Sequence, residues 1–358
     1  MKKKKVSILG AAGAAGQEFI EALQHHEWFE IHRLFGKSTK GKRLGECPLY
    51  INADGWVKDI VIEDIENIIY DADLICSALP KEEARFYEGE YAKWRPVFST
   101  VAAYRYEKDV PIIILEANAD HYGLLLQQRN RGWGGFISPG SNCTVVGPVI
   151  SLKPIRDAYG LKRIFLASYQ SISGAGRDAI EEWERQKSSN EEPLYIRGKP
   201  WFRDNVIPYI KDEEEKVIRE TTKIMGSLSD EGIVEPDIRI ECKCYRVPTR
   251  YGHEIVVFAE TEEKITKEDA EEAYNRFNDE CYEKFGSLPS SPQRTVVLHN
   301  DIYRPQPVFD ADSHGGMATH VGRLEESRGF DNGISYTVLS HNLKKGAAKG
   351  VVQTAEYV

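Results

Sequence analysis

A turn of regularly spaced glycines near the N-terminus constrains the fold more than any other feature of this sequence. Gly10, Gly13 and Gly16 follow an apolar run at residues 6–9 and precede a segment with helical spacing at residues 17–23. Glycines at this interval let the backbone approach a pyrophosphate, which then sits at the N-terminus of the following helix. Small residues at a helix start also occur for tight packing alone. The order strand, turn, helix is what favours a dinucleotide site.

Strand and helix patterns continue to alternate through the first 140 residues. Residues 82–94 have helical spacing, and apolar runs typical of buried strands lie at residues 31–35, 72–80, 97–99 and 112–115. This alternation predicts a doubly wound parallel sheet.

A basic, hydroxyl-rich stretch follows the second predicted strand. It contains Lys37, Ser38 and Thr39, where a site that prefers NAD usually carries an acidic residue for the ribose hydroxyls. Positive charge and hydroxyls suit a 2′-phosphate, so we favour NADP. A solvated basic loop is the alternative.

A single cysteine, Cys143, lies between a turn-forming run at residues 138–142 and an apolar run that predicts a helix. Ser141 or Asn142 is a suitable N-cap, which would place Cys143 in the first turn. There the helix dipole and unpaired N–H groups favour a thiolate, the nucleophile that aldehyde chemistry needs. A small buried cysteine is the alternative.

The second half of the chain is rich in strands. Helical patterns occur at residues 213–225, 266–285 and 343–357, and a polar surface segment at residues 188–204. Strands are predicted at residues 163–172, 237–247, 254–260, 295–298, 318–324 and 333–339. This composition predicts an α+β second domain with a mixed or antiparallel sheet.

Three charged or titratable residues could act with Cys143. His253 lies in a predicted turn between strands and could serve as acid and base near neutral pH. Arg105 and Arg246 could hold a carboxylate or phosphate by paired hydrogen bonds. A histidine that only fills a turn and arginines that only solvate the surface are the alternatives.

The composition excludes several classes of protein. A net charge of −9 argues against a nucleic-acid partner. Six scattered cysteines form no CxxC pair, so nothing indicates a metal or a redox dithiol. The apolar run at residues 6–9 is too short for a signal peptide or a membrane span, so we expect no membrane association and a cytoplasmic location.

Taken in order, these motifs resemble the aspartate-β-semialdehyde dehydrogenases, in the form typical of the archaeal and fungal branch. The resemblance runs nearly end to end. It rests on the glycine turn and on the segments at residues 77–80, 141–144, 170–176, 213–216, 246–253, 321–323 and 342–348.

The resemblance implies a role for each matching residue. The catalytic residues would be Cys143 as nucleophile, His253 as acid and base, and Gln170 as the group that orients the substrate. The substrate-binding residues would be Arg246 for the α-carboxylate, Glu213 for the amino group, Asn142, and a phosphate site of Arg105, Lys216 and Ser99. The cofactor-binding residues would be Gly10, Gly13, Ala14, Ala15, Gly16, Lys37, Ser38, Thr39, Ser77, Leu79, Ser173, Gly174 and Asn342.

The family's fold and assembly are implied in the same way. Residues 1–142 with 343–358 would form a Rossmann-type NADP-binding domain. Residues 143–342 would form an α+β catalytic and dimerisation domain of the glyceraldehyde-3-phosphate-dehydrogenase-like C-terminal type. The expected assembly is a homodimer or homotetramer that binds NADP(H), a small-molecule substrate and phosphate.

The implied activity is the NADPH-dependent reductive dephosphorylation of 4-phospho-L-aspartate to L-aspartate 4-semialdehyde, in lysine, threonine and methionine biosynthesis. An acyl-CoA reductase that acts on malonyl-CoA through the same thioester is the nearest alternative. Glu213 favours the substrate that carries an amino group. A non-catalytic NADP sensor or scaffold is the alternative from another class, but it has no need of Cys143, Gln170, Arg246 and His253 together.

Overall fold

The computed structural model describes residues 2–358 and contains two six-stranded β-sheets. The first sheet is built from β1 (Lys4–Leu9), β2 (Phe29–Gly36), β3 (Ile62–Asp64), β4 (Leu74–Ser77), β5 (Val97–Ser99) and β6 (Ile137–Pro139). All its strands run parallel, in the order β3-β2-β1-β4-β5-β6. The predicted doubly wound parallel sheet is therefore confirmed.

The strand order reverses between β1 and β4, and open α/β sheets bind ligands at such a point. Gly10 has a φ of 76°, and a Cβ on it would lie 2.6 Å from the carbonyl oxygen of Ala78. A Cβ on Gly16 would lie 2.1 Å from the carbonyl oxygen of Gly10. The loops that follow β1 and β4 are therefore in close contact, and only glycine permits this approach.

The helices that pack against the first sheet are α1 (Ala14–Leu23), α2 (Gly55–Lys58) and α3 (Lys81–Ala92). Two short helices that follow, α4 (Leu115–Asn118) and α5 (Gly123–Gln127), contribute Leu115 and Leu125 to the core of the second sheet. Helix α1 begins directly after the glycine turn, with Gly13 at its N-cap. Its apolar residues Phe19, Ile20 and Leu23 are buried in one cluster with Val6 of β1. Burial of this stripe fixes the helix N-terminus beside the carboxyl end of β1.

The second sheet is mixed, as predicted. Its strands are β7 (Arg163–Gln170), β10 (Arg239–Arg246), β11 (His253–Glu260), β12 (Val296–His299), β13 (Thr319–Glu326) and β14 (Gly333–Ser340), while β8 (Ser227–Ser229) and β9 (Gly232–Val234) form a separate hairpin. The order is β10-β7-β11-β14-β13-β12. The outer pairs β10–β7 and β12–β13 are parallel, and the inner pairs are antiparallel.

The second half of the chain contains the remaining helices. They are α6 (Val146–Tyr159), α7 (Arg177–Ser188), α8 (Glu213–Ile224), α9 (Lys267–Phe285), α10 (Pro307–Asp310) and α11 (Ala348–Tyr357). Helices α6 and α9 pack on one face of the second sheet and share its apolar core. Helix α11 packs against α1, and its Val351 and Val352 belong to the core of the first sheet.

Three local predictions were wrong. Residues 112–115 do not form a strand, and Leu115 begins α4 instead. Ser138 and Pro139, predicted in a turn, lie in β6 at the edge of the first sheet, where a proline is tolerated. The last helix begins at Ala348 rather than at residue 343, after a series of turns.

No helix within residues 2–358 is both long enough and apolar enough to cross a membrane.

A buried ion pair joins the start of the C-terminal segment to the rest of the chain, and it should be important for stability. Lys345 Nζ donates to both carboxylate oxygens of Glu116 at 2.7 Å, and each side chain is 2% exposed. We expect Lys345→Met to lower the free energy of unfolding by about 3–5 kcal/mol, because the Glu116 carboxylate is left buried without its cation. Urea unfolding measures this loss.

The matched control is Lys93→Met, which removes a surface ion pair with Glu90. Exposed pairs contribute less than about 1 kcal/mol, so the control should change the unfolding midpoint little. Equal midpoints for the two variants would contradict a stabilising role for the buried pair.

Candidate active site

The side chains of Cys143 and His253 are in direct contact. Cys143 lies in a turn between β6 and α6, and His253 is the first residue of β11 rather than part of the preceding turn. The Cys143 Sγ and His253 Nε2 atoms are 3.2 Å apart, although the residues are 110 positions apart in the chain. At this distance a nucleophile and a base can exchange a proton.

His253 is fully buried and held by the chain that follows β7. Its Nδ1 accepts a hydrogen bond from the backbone N–H of Ser171 at 3.1 Å. A backbone N–H can only donate, so this contact assigns the proton of the neutral ring to Nε2, which faces Cys143. Burial, and then the positive charge of Arg246, hold the pKa of His253 well below its ordinary value. The ring is therefore neutral at pH 7 in the unliganded protein.

The surroundings of Cys143 favour a thiol rather than the thiolate that the sequence predicted. Although part of the residue is open to solvent, burial and then the negative charge of Glu213 raise the pKa of the Cys143 thiol to about 12. The expected helix begins only at Val146, so Cys143 lies outside its first turn. Asn142 closes a turn before the helix instead, because its Oδ1 accepts from the backbone N–H of Thr144 at 2.7 Å.

Helix α8 presents Glu213 to the segment around Cys143. The Glu213 Oε1 atom accepts from Asn142 Nδ2 at 2.9 Å and from Thr144 Oγ1 at 3.1 Å. Glu213 is buried, and its Oε2 lies 3.9 Å from Nζ of Lys216, which is partly exposed. The carboxylate thus braces both neighbours of Cys143 and keeps one oxygen for a cationic partner.

Gln170 and Arg246 lie side by side at the ends of β7 and β10, where they are paired in register. Arg246 Nη1 donates to the carbonyl oxygen of Ser171 at 2.7 Å, and the residue is buried. A Cβ on Gly174 would lie 2.9 Å from Arg246 Nη1 and 3.0 Å from His253 Nε2. Gly174 therefore lets the backbone lie against both side chains, next to Cys143.

Arg105 is bonded mainly to the protein itself. Its guanidinium donates to the carbonyl oxygens of Thr100, Gly140 and Ser141, at 2.8–3.1 Å, and to Glu220 Oε1 at 3.1 Å. These contacts use four of its five N–H groups. Arg105 therefore has little free capacity for the phosphate that the sequence analysis assigned to it.

The hydroxyl of Ser99, also assigned to phosphate, has two protein partners. It donates to Glu88 Oε1 at 2.6 Å and accepts from the backbone N–H of Val101 at 2.9 Å. Burial raises the pKa of Glu88 to about 7. Ser99 and Glu88 thus support the segment that leads from β5 to Arg105.

Most of the predicted cofactor residues lie at one edge of the first sheet. They are Gly10, Gly13, Ala14, Ala15 and Gly16 after β1, Lys37, Ser38 and Thr39 after β2, and Ser77 and Leu79 at the end of β4. Ser77 is fully buried, and its hydroxyl faces the Glu88 carboxylate. The glycine turn, where a Cβ on Gly10 or Gly16 would clash with the backbone, fits the close approach of a dinucleotide. Exposed Lys37 pairs with Glu83 at 3.2 Å.

The other predicted cofactor residues lie beside His253. Asn342 Oδ1 accepts from the backbone N–H of Gly252 at 2.9 Å and from Ser171 Oγ at 3.2 Å, and its Nδ2 donates to Ser173 Oγ at 2.9 Å. With Gly174, these groups connect the His253 segment to the chain that leads into α11.

Sequence reasoning missed two residues that contact this site. Ser171 binds His253 Nδ1, and Glu220 accepts from the backbone N–H of Asn142 at 2.6 Å. Glu220 follows Glu213 by seven residues on α8, which places both on one face of the helix. That spacing is a signal that could have identified Glu220, whereas the backbone contact of Ser171 has no sequence signal.

One group of described side chains has the residue types of a metal site. His299, Asp310 and His320 each offer a ligand atom within 4.8 Å of the others. His299 Nε2 and His320 Nδ1 are hydrogen-bonded at 3.0 Å, and Arg304 and the backbone N–H of Gln306 donate to the Asp310 carboxylate. Hydrogen bonds within the cluster satisfy these atoms, so the geometry does not call for an ion.

Comparison with known families agrees with this architecture. Residues 5–124 match the model described as semialdehyde dehydrogenase, NAD binding domain, and residues 152–345 match semialdehyde dehydrogenase, dimerisation domain. The two models together span most of the chain.

Individual relatives are similar over nearly their whole length. The chain is 37% identical to an aspartate-semialdehyde dehydrogenase of Methanothermobacter thermautotrophicus, covering 99% of this chain and 98% of that one. It is 29% identical to a malonyl CoA reductase (NADP) of Metallosphaera sedula, covering 98% and 96%. The structure of aspartate semialdehyde dehydrogenase with NADP from Candida albicans superposes with a TM-score of 0.83 at 28% identity, covering 99% and 98%.

The raised pKa of Cys143 predicts how this thiol reacts in the unliganded protein. We expect alkylation by iodoacetamide to be slower at pH 7 than that of a free thiol of pKa about 8.5, because less thiolate is present. The rate should still rise between pH 8 and pH 10, since the pKa of about 12 lies above that range. Mass spectrometry of the Cys143 peptide measures this rate, and a plateau near pH 7 would contradict the prediction.

Proposed function

The chain belongs to the semialdehyde dehydrogenase family, and on that premise we propose that it is an aspartate-β-semialdehyde dehydrogenase. It would reduce 4-phospho-L-aspartate to L-aspartate 4-semialdehyde with NADPH and release phosphate, reversibly, as a step towards lysine, threonine and methionine. The observation that carries this proposal is the 3.2 Å contact between Cys143 Sγ and His253 Nε2. The relatives named above support the choice of substrate.

In this proposal Cys143 is the nucleophile. Its sulfur attacks the acyl carbon of the phosphorylated substrate, and the bond from carbon to the phosphate oxygen breaks. The thiol proton passes to the departing phosphate, so a thioester and hydrogen phosphate form. NADPH, when bound, supplies the hydride that reduces this thioester. His253, whose Nε2–H faces the sulfur, can donate a hydrogen bond to the substrate oxygen as negative charge develops there. The carbon–sulfur bond then breaks, the aldehyde is released, and the sulfur leaves as a thiolate that takes up a proton from solvent.

Four buried side chains would recognise the amino acid. Arg246 has donors to spare and would bind the α-carboxylate in a paired geometry. Glu213 Oε2 would meet the amino group, and Asn142 is fixed beside it by the hydrogen bond to Glu213. Gln170, adjacent to Arg246, would orient the substrate at the cysteine.

The phosphate would be held mainly by Lys216. Its ammonium group is partly exposed and lies at the same end of α8 as Glu213. We retain Arg105 as a further contact through its one remaining donor. Ser99 would act only indirectly, because its hydroxyl binds Glu88 and Val101.

The cofactor would be NADP(H). Its pyrophosphate would lie on the glycine turn at the N-terminus of α1, and its 2′-phosphate near Lys37, Ser38 and Thr39. Lys37 would exchange its exposed partner Glu83 for the phosphate, which requires little reorganisation. Ser77 and Leu79, and on the other side Ser173, Gly174 and Asn342, would border the same nucleotide.

We propose that the uncovered face of the second sheet joins subunits into a homodimer or homotetramer. Phe165 and Phe258 are cross-strand partners on this face and are 42% and 45% exposed. Tyr169, on the same face of β7, is 39% exposed. Adjacent exposed aromatic rings mark a protein interface. The division of the chain into residues 1–142 with 343–358 and residues 143–342 remains part of the proposal, as does a cytoplasmic location.

A malonyl-CoA reductase is the second candidate, because a relative with that activity matches over nearly the full length. Arg246 would serve either carboxylate. Glu213 favours the amino-bearing substrate, because malonyl-CoA offers no cationic group to pair with the free oxygen of this buried carboxylate. A non-catalytic NADP sensor would not need the contact between Cys143 and His253.

The decisive experiment is an assay of the purified protein. We expect NADP⁺ reduction that requires both L-aspartate 4-semialdehyde and phosphate, and little NADPH oxidation with malonyl-CoA. Cys143→Ser should lower kcat by at least about 1,000-fold, since the hydroxyl cannot replace the thiolate. Cys47→Ser, at a buried cysteine in the core of the first sheet, is the matched control and should retain activity.

Circular dichroism and NADP binding of Cys143→Ser should be unchanged. Faster turnover of malonyl-CoA by the native protein would favour the second candidate. Near-normal turnover by Cys143→Ser would exclude a covalent mechanism at this residue.

The subunit interface has its own test. The double variant Phe165→Glu with Phe258→Glu places two charges at the centre of the proposed interface, and we expect a smaller molecular mass in sedimentation equilibrium. Phe86→Glu, at an exposed phenylalanine on α3, is the control and should leave the mass unchanged. An unchanged mass for the double variant would place the interface elsewhere.

A further inference from the structure

A buried ion pair lies directly behind the segment that carries Cys143. Arg105 Nη1 and Glu220 Oε1 are 3.1 Å apart, and the side chains are 7% and 0% exposed. A buried pair of this kind adds little net stability compared with apolar residues of the same volume. The structural role of this pair therefore lies in the backbone groups that Arg105 and Glu220 bind with their remaining donors and acceptors.

Those groups bind three consecutive residues before Cys143. Arg105 donates to the carbonyl oxygens of Gly140 and Ser141, and Glu220 Oε2 accepts from the backbone N–H of Asn142 at 2.6 Å. Residues 140–142 belong to no helix or strand, so neither a helix nor a sheet satisfies these groups. The ion pair supplies the partners that regular structure would otherwise provide.

Helix α8 completes the arrangement from the other side. Glu213, two turns before Glu220 on the same helix face, binds the side chains of Asn142 and Thr144. The residues on both sides of Cys143 are thus attached to one rigid helix, while Cys143 keeps its contact with His253. A reactive group held in this way is positioned by its neighbours and not by its own hydrogen bonds.

We propose that Glu220, paired with Arg105, is a positioning residue that fixes the backbone before Cys143 so that the sulfur meets the substrate carbon. We call this arrangement, in which Arg105 and Glu220 bind the backbone of residues 140–142, the clamp. The inference rests on the proposed function for its kinetic consequences, but the contacts of the clamp do not depend on a substrate.

Only a carboxylate matches the donors around Glu220. It accepts from Arg105, from the Tyr106 hydroxyl at 3.2 Å and from the backbone N–H of Asn142. The amide of a glutamine has one accepting oxygen and an NH₂ group that only donates. Glu220→Gln therefore keeps the shape but must direct a donor at the Asn142 N–H or at Arg105 and Tyr106.

We expect Glu220→Gln to lower kcat about 10- to 100-fold, because a displacement of about 1 Å of a reacting group has an effect of this size. The KM for phosphate and the Kd for NADP⁺ should change less than threefold. Arg105→Lys should lower kcat to a similar extent, and its KM for phosphate should rise as well, because the remaining donor of Arg105 contacts phosphate. The double variant should have a kcat no lower than that of the slower single variant, since both changes disrupt one clamp. Glu215→Gln, an exposed glutamate on the same helix, is the matched control and should keep normal kinetics.

Cys143 alkylation gives a readout that needs no substrate. Loosening the segment exposes the thiol, so Glu220→Gln should react with iodoacetamide at pH 8 several-fold faster than the native protein and Glu215→Gln. If the native protein shows no phosphate-dependent activity, the proposed function is wrong. The alkylation rates of the native protein, Glu220→Gln and Glu215→Gln still test whether the clamp holds the segment before Cys143. Should Glu220→Gln not fold, Tyr106→Phe removes one of the three donors and should lower kcat about two- to fivefold.

Two results would overturn the proposal. One is a kcat and an alkylation rate of Glu220→Gln, or of Tyr106→Phe in its place, that stay within the range of Glu215→Gln. The other is an Arg105→Lys variant that keeps a normal kcat, which would show that the contacts of Arg105 with residues 140 and 141 do not position Cys143.

Discussion

The contact between the Cys143 sulfur and the His253 ring is the constraint on which the rest of the structure depends. Cys143 follows the edge strand β6 of the first sheet, while His253 begins β11, an inner strand of the second. Helix α6 starts just after the cysteine and packs on α9 and β14, so the core of the second sheet also fixes Cys143. A reacting pair tolerates displacements of well under 1 Å. The proposed mechanism therefore depends on the relative placement of the two sheets.

Much of this architecture was predictable because helices and strands leave a period in the sequence. The glycine turn, the parallel first sheet and the mixed second sheet all followed from such patterns. The failures have a physical cause. Ile112, Ile113 and Ile114 are apolar enough for a strand, but they fill the core shared with the second sheet without pairing. Pro139 resembles a turn residue, yet the edge position of β6 removes the objection to a proline in a strand.

The site itself was predicted less completely than the fold. The segments that carry Cys143, His253 and Arg246 could be located from their motifs, but the motifs do not tell how deeply these polar side chains are buried. Local reasoning placed Cys143 at a helix dipole and inferred a thiolate. In the structure the helix begins later, and burial raises the pKa of Cys143 to about 12. The hydrogen bond from Ser171 to His253 is a backbone contact, which side-chain identity cannot encode.

The buried charges of this protein are of two kinds. Some make nearly all of their hydrogen bonds within the protein and stabilise the fold, whereas others keep free donors or acceptors that a ligand could use. Arg105 uses four of its five donors on protein oxygens, so its desolvation is already compensated. Within residues 2–358 the buried Arg246 guanidinium donates one hydrogen bond, to Ser171. Burial lowers the pKa of Arg246, because the charged guanidinium loses solvation there. An incoming carboxylate would stabilise this charge and complete its hydrogen bonds. Both arginines lie near Cys143 and carry the same charge. The difference in satisfied donors is what supports the proposal that Arg105 mainly holds the backbone and that Arg246 binds the substrate.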